Sequence, residues 1–375
     1  REERERERDW REGMDTGNSP SPGGPQNGQC VDINSVSFNQ DYSCIAVGLK
    51  TGFNVYNTCP FGKCYSNQLG GVSIVQMLYC SSLVALVGNG DKPGLSKQKL
   101  HMYNTKNNSP ICELNFVTSI LGVRLNRKRV IVVRNTKIHI HDINNMKILQ
   151  TLDTSPNPNG LCALSPDENS IIAYPGKGTG EVCIYDALSL SHITTVSAHK
   201  ANLSCVSFNK DGTLLATASE KGTIIRVFQI PEARKSYSFR RGAQQADVGC
   251  LSFSLDSSLL CVSSDTGTVH VFRIDETTST EGTAGRRGII GPFIPDLVSD
   301  MMEPVRSFAH IKLPNPGPTS LCAFSEGNDY LIAISNGNVY HYVLDRTLEY
   351  KLSYQKYLLE DSKETGTGIG GTGGV

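Results

Sequence analysis

Two adjacent arginines, Arg240 and Arg241, stand at the end of segment 236–242, where they follow Phe239 and precede Gly242. Hydroxyl and basic residues recur on either side, with Ser219, Lys221, Thr223 and Arg226 upstream and Ser263, Ser264, Thr268 and His270 downstream. Guanidinium groups and hydroxyls together donate the charge-assisted hydrogen bonds that phosphate oxygens accept, so the chemistry here is phosphate recognition. An isolated dibasic pair at a strand end is ordinarily just solvated; the flanking repeats single this one out. The other candidates carry less. Residues 176–180 are glycine-rich but lack the phosphate-loop spacing and read as a turn. Cys59 and Cys64 have no second Cys/His pair, and His139 and His141 share a strand face without a third ligand, so no metal or cofactor is expected. The nucleophile-elbow and zinc-protease signatures are both missing from the sequence, and catalysis is not expected.

The residues that position this chemistry belong to an internal repeat. A phrase of the type Leu203 to Phe208 returns at Ser35, Leu161, Val248 and Ser320. Each copy is followed by a polar turn, a small-apolar run such as Leu214 to Ala218, a glycine turn and an alternating strand. Two weaker copies, from Val72 and from Thr118, bring the count to seven. The anchors Val36, Ile74, Ile120, Cys162, Cys205, Cys250 and Cys322 are spaced 38, 46, 42, 43, 45 and 72 residues apart. Five of these spacings match one four-stranded blade, and the sixth leaves room for a long insertion at about 275–303. The expected fold is therefore all-β, a seven-bladed WD40-like β-propeller over residues 30–360. The seventh unit supplies four strands of its own, so the ring is expected to close without strand sharing between the termini. Residues 1–29 and the glycine-rich 361–375 read as disordered tails. Cys162, Cys205, Cys250 and Cys322 are expected at equivalent inner-strand positions as small buried hydrophobes.

Composition narrows the function classes. Lys plus Arg number 36 and Asp plus Glu number 36, so the chain offers no net field to nucleic acid. No apolar run approaches a membrane span, and a charged opening without an apolar core is no secretory signal, so a cytoplasmic or nuclear location is expected.

Phe239, Arg240, Arg241 and Gly242, with His199, the run from Asp211 to Thr223 and the run from Ser264 to His270, resemble the signature of the PROPPIN family. These are seven-bladed propellers that bind phosphoinositides in autophagy. The resemblance covers roughly residues 30–360 and is most specific in blades five and six. It implies a peripheral membrane adaptor that reads phosphatidylinositol 3-phosphate and 3,5-bisphosphate. Such an adaptor would recruit autophagy proteins to phagophore, preautophagosomal, endosomal or vacuolar membranes, and would act as a monomer. A partner among the autophagy factors, notably the rod-shaped lipid-transfer protein, is implied at Asn39 and Asp41 in blade one. The alternative is a generic WD-repeat-like protein scaffold without lipid specificity.

Strand geometry adds a reading of its own. Successive side chains point to opposite faces, so Arg240 and Arg241 are expected to serve two different pockets. Arg240 would join His199, Ser219, Lys221, Thr223 and Arg226, and Arg241 would join Ser263, Ser264, Thr268 and His270. Within the insertion, Ile289, Ile290, Phe293, Ile294 and Leu297 beside Arg286 and Arg287 form an apolar and basic cluster expected to enter a bilayer.

Overall fold

The structure, a computed structural model, describes residues 33–274, 304–344 and 349–358. The segments read as tails, 1–29 and 361–375, and the insertion at 275–303 lie outside the described residues. Seven sheets of antiparallel strands, taken in chain order, form seven blades spanning 33–67, 72–115, 122–153, 163–197, 203–240, 248–312 and 320–357. First strands line a central channel of about 440 Å³. Second strands such as Cys44–Leu49 are buried along their whole length, because both faces pack against neighbouring blades. Outer strands such as Ser109–Asn115 are mostly exposed or half-buried.

The core is accordingly divided, with each of seven apolar clusters drawing on two consecutive blades. The seventh joins Ile332, Ile334, Val339 and Leu358 of the last blade to Ile45, Val47 and Tyr56 of the first. Tyr56 Oη also donates to the Leu358 carbonyl. Blades one and seven each own four strands, so the ring closes by side-chain packing rather than by a shared strand.

Two local devices repeat around the ring. After the first strand, a polar side chain closes the turn: Asn39 Oδ1 accepts from Cys44 N at 3.0 Å, and Asn126 and Asn209 accept from Arg129 N and Leu214 N at 2.9 Å. Ser165, Ser254 and Ser325 do the same for Ile171, Leu259 and Tyr330. After the fourth strand, one further backbone N–H bonds to the turn entering the third strand. Phe116 N donates to Gln98 O, Thr154 N to Thr136 O, Ala198 N to Gly180 O, Arg241 N to Thr223 O, Leu313 N to Gly267 O and Leu358 N to Gly337 O. That bond sets a common register for comparing blades.

The insertion modifies two blades. Blade six obtains its fourth strand, Ala309–Lys312, from beyond it, and the short strand Val305–Arg306 pairs in parallel with Arg234–Arg240 as a fifth strand of blade five. One expectation needs correction, since the four inner-strand cysteines are not equivalent. Cys205 and Cys250 connect through Ala218 and Ser263 to Ile225 and Val269, the second residues of regular third strands. Cys322 connects through Ala333 to Tyr340, one register step further. Cys162 lies outside the two-residue first strand Ala163–Leu164. Tapering at the centre selects small apolar residues on either face, so cysteines recur there without sharing a register position.

Candidate functional site

Blade five carries both arginines. Its residues Ala216, Ala218, Ile225, Val227 and Phe239 pack toward blade six, and Leu215 and Phe228 pack toward blade four. Pairing Thr217 with Arg226, Arg226 with Ser238 and Ile224 with Arg240 sets these residues on the blade-four face by the two-residue period of the strands.

On that face His199, 8% exposed, comes from the segment linking blades four and five, and its Nε2 lies 2.9 Å from Thr217 Oγ1. Thr217 Oγ1 donates to Arg226 O at 3.2 Å, and Arg226 Nη1 donates to Ala198 O at 2.5 Å. Buried Ser219 ends the second strand, and Lys221 and Thr223 flank Gly222 in the following turn. Gly222 has φ 58°, and a Cβ there would fall 1.9 Å from Ala246 O, so the turn requires glycine. The structure thus brings His199, Ser219, Arg226 and Arg240 to one blade face with Lys221 and Thr223 at its rim. The strand Val305–Arg306 adds Arg306 alongside Arg240.

Arg241 leaves by the other side. It is 7% exposed, with Nε donating to Gly222 O at 2.6 Å and Nη2 to Gln244 O. Across the interface, His270 stacks on Phe272, which stacks on Phe239. His270 Nδ1 lies 3.2 Å from Ser307 Oγ, and Ser264 Oγ lies 2.8 Å from Thr266 Oγ1. Pairing of Thr268 with Lys312 and of His270 with His310 extends this face into the fourth strand of blade six. Ser263 does not join it. Its Oγ donates to Ser320 O at 2.5 Å, toward blade seven, because neighbouring residues on a strand face opposite ways.

Electrostatics divide along the same line. Burial, and then Arg226, pushes His199 down to about 4, and burial, Arg241 and His310 push His270 down to about 4. Both imidazoles are neutral near pH 7, leaving the arginines to attract an anion. Burial also lowers Arg241 from its ordinary value, against the pull of Asp265. A guanidinium that has surrendered its water and hydrogen-bonds to carbonyls is a strong donor for an incoming phosphate.

Arg306, Ser307, His310 and Lys312 were missed by sequence reasoning. The usable signal was the alternation of Ala309 and Ile311, only 8% and 4% exposed, with His310 and Lys312. The residues named for a partner in blade one separate as well. Asn39 is 3% exposed and committed to its turn, whereas Asp41 is half-buried and accepts from Ser43 N at 3.2 Å. Ile289, Ile290, Phe293, Ile294 and Leu297 lie outside the described residues.

Comparison with known proteins bears on most of the chain. The PROPPIN family model matches residues 32–350. Autophagy-related protein 18 of Dictyostelium discoideum is 44% identical over 347 residues, covering 86% of this chain and 93% of the relative. Its Yarrowia lipolytica namesake is 42% identical over 370 residues, covering 84% and 92%. Among solved structures, the KlAtg21 complex with the coiled coil of AgAtg16 superposes with TM-score 0.70 at 29% identity, covering 87% of this chain and 99% of the other. Kluyveromyces lactis Hsv2 matches at TM-score 0.71 and 20% identity over 87% of this chain and 99% of the other, which establishes a common fold.

Proposed function

Since the chain belongs to the PROPPIN family of autophagy-related, phosphoinositide-binding β-propellers, which act as adaptors and not as enzymes, we propose that it reads phosphatidylinositol 3-phosphate and 3,5-bisphosphate on membranes through two separate pockets. The first uses His199, Ser219, Lys221, Thr223, Arg226 and Arg240, and the second uses Arg241, Ser264, Thr268 and His270. The observation that carries this reading is the buried guanidinium of Arg241, whose hydrogen bonds among the described residues go to the carbonyls of Gly222 and Gln244, close enough to His270 to depress its protonation. Two modest sites on one membrane gain avidity by about 10²–10⁴-fold when both can engage. The apolar residues Ile289, Ile290, Phe293, Ile294 and Leu297 would add an anchor to these two sites, and replacing the first four by Ser is expected to weaken liposome binding without lowering Tm.

Once on phagophore, endosomal or vacuolar membranes, the monomer presents blade one to an autophagy partner. The solved complex of KlAtg21 with a coiled coil of AgAtg16 supports a partner from that machinery. With Asn39 engaged in its turn, Asp41 is the side chain left to meet it, and Asp41→Ala is expected to lose partner pull-down while keeping lipid binding. Liposome flotation with and without the two phosphoinositides tests the central claim. Flotation that ignores these lipids, or none at all, would favour a scaffold that binds only proteins.

A further inference from the structure

We propose that Cys44 and Cys80 form an oxidative modification site, joined by a peroxide into a disulfide that links blade one to blade two. Cys44 opens the second strand of blade one, Cys44–Leu49, and is 4% exposed. Cys80 is exposed in the turn after the first strand of blade two, Val72–Met77. Their Sγ atoms lie 3.7 Å apart. A disulfide needs about 2.05 Å, so closure asks for roughly 1.7 Å of approach, within reach of a side-chain rotation on the turn side.

The surroundings divide the labour between the two thiols. Burial, and then the neighbouring Cys80, pushes Cys44 up to about 12, and Cys44 is also shielded from solvent, so it is not the first to react. Cys80 is the sulfur a solvent oxidant can reach. Ser43 Oγ sits 3.0 Å from Cys80 Sγ and 3.9 Å from Cys44 Sγ, and donates to Asp41 Oδ1 at 2.5 Å.

The Cys80 thiolate attacks one peroxide oxygen, the O–O bond breaks, and Cys80 becomes a sulfenic acid as the departing hydroxide takes a proton to become water. Cys44 then attacks the Cys80 sulfur, the S–O bond breaks, and the Cys44 proton leaves with the hydroxide as a second water. Two thiols are oxidised and one peroxide is reduced. The product removes the Cys80 contacts with Ser43 and Asn39, at 3.0 and 3.8 Å, directly beside Asp41. Oxidation therefore reshapes this turn while leaving blades five and six untouched.

Non-reducing peptide mapping of the full chain under graded hydrogen peroxide is the test. The expected first product is a peptide pair linked through Cys44 and Cys80, with a mass loss of about 2 Da reversed by a thiol reductant. Cys80→Ser should abolish the link. Cys44→Ala should leave Cys80 as a sulfenic acid that dimedone traps, and because the mapping is first done on the unmodified sequence the result does not depend on either variant folding. Cys80 carried to sulfinic acid with Cys44 still a free thiol, or Cys80 paired to Cys64, would overturn the proposal.

Discussion

His139 in blade three and His270 in blade six occupy one place in the repeat, facing the preceding blade, and burial heads the causes that push each down to about 4. What differs is the residue the preceding blade sends across. Through the same backbone bond after the fourth strand, blade two delivers Phe116, whose ring lies 5.2 Å from that of His139, and blade five delivers Arg241. Elsewhere the position holds Thr154, which is half-buried, and Ala198, Leu313 and Leu358, only 0%, 2% and 0% exposed. The ring thus has a standard inter-blade plug, generally small or apolar, and one blade replaces it with a guanidinium. The proposed second pocket corresponds to a change of plug, on a platform that the repeat supplies in any case.

The largest effect should follow from removing both blade-five cations. Arg240→Thr with Arg241→Thr is expected to reduce phosphoinositide-dependent flotation nearly to background, and each single change to weaken it and halve headgroup stoichiometry from about two to one. A single variant as defective as the double, with the unaltered protein binding one headgroup, would break the two-pocket account.

Restoring the plug sharpens the comparison. Arg241→Leu converts the position to the blade-seven type and removes a buried charge, a replacement that in other proteins is often neutral or stabilising. The variant should lose the second pocket while its Tm holds or rises, as a thermal melt would report. A marked drop in Tm would mean that Arg241 is a structural pillar.

Protonation gives a smaller effect. His199 and His270 have folded values depressed to about 4, below an unfolded value near 6.5, so the unfolded chain binds more protons, and their contribution to stability is lost as pH falls from about 6.5 toward 4. A bound phosphate reverses the local field and raises both, so binding takes up protons and is favoured by mild acid. The phosphate itself loses charge below about pH 6, which opposes this. The difference between the unaltered protein and His270→Gln isolates the histidine, with a several-fold narrowing of their affinity gap expected as pH rises from 6 to 8.

The smallest contrast lies between two adjacent serines. Ser264→Ala should weaken the second pocket a few-fold, whereas Ser263→Ala, which loses only a bond toward blade seven, should leave flotation unchanged and cost about 1 kcal/mol of stability.

Seven blades were legible because spacing survives where residue identity drifts, and the split of Arg240 from Arg241 was legible because a strand has period two. The same period, applied to Ser263 and Ser264, would have separated them. Asn39 read as a surface turn because its backbone partner, Cys44 N, is invisible in a linear string, although Asn126 and Asn209 stand at matching places in other repeats. Arg306, His310 and Lys312 were hidden for another reason: segment 275–303 has no periodicity to carry the register across it.

The return path from that segment has a mechanical consequence. Chain leaving blade six at Arg273 comes back first to the outer edge of blade five at Val305–Arg306, and only then crosses to Ala309–Lys312. The two blades are buckled together by one strap, stitched at two points downstream of segment 275–303. A protease cut anywhere in 275–303 should therefore leave both halves fastened, running as one species on gel filtration and as two fragments on a denaturing gel.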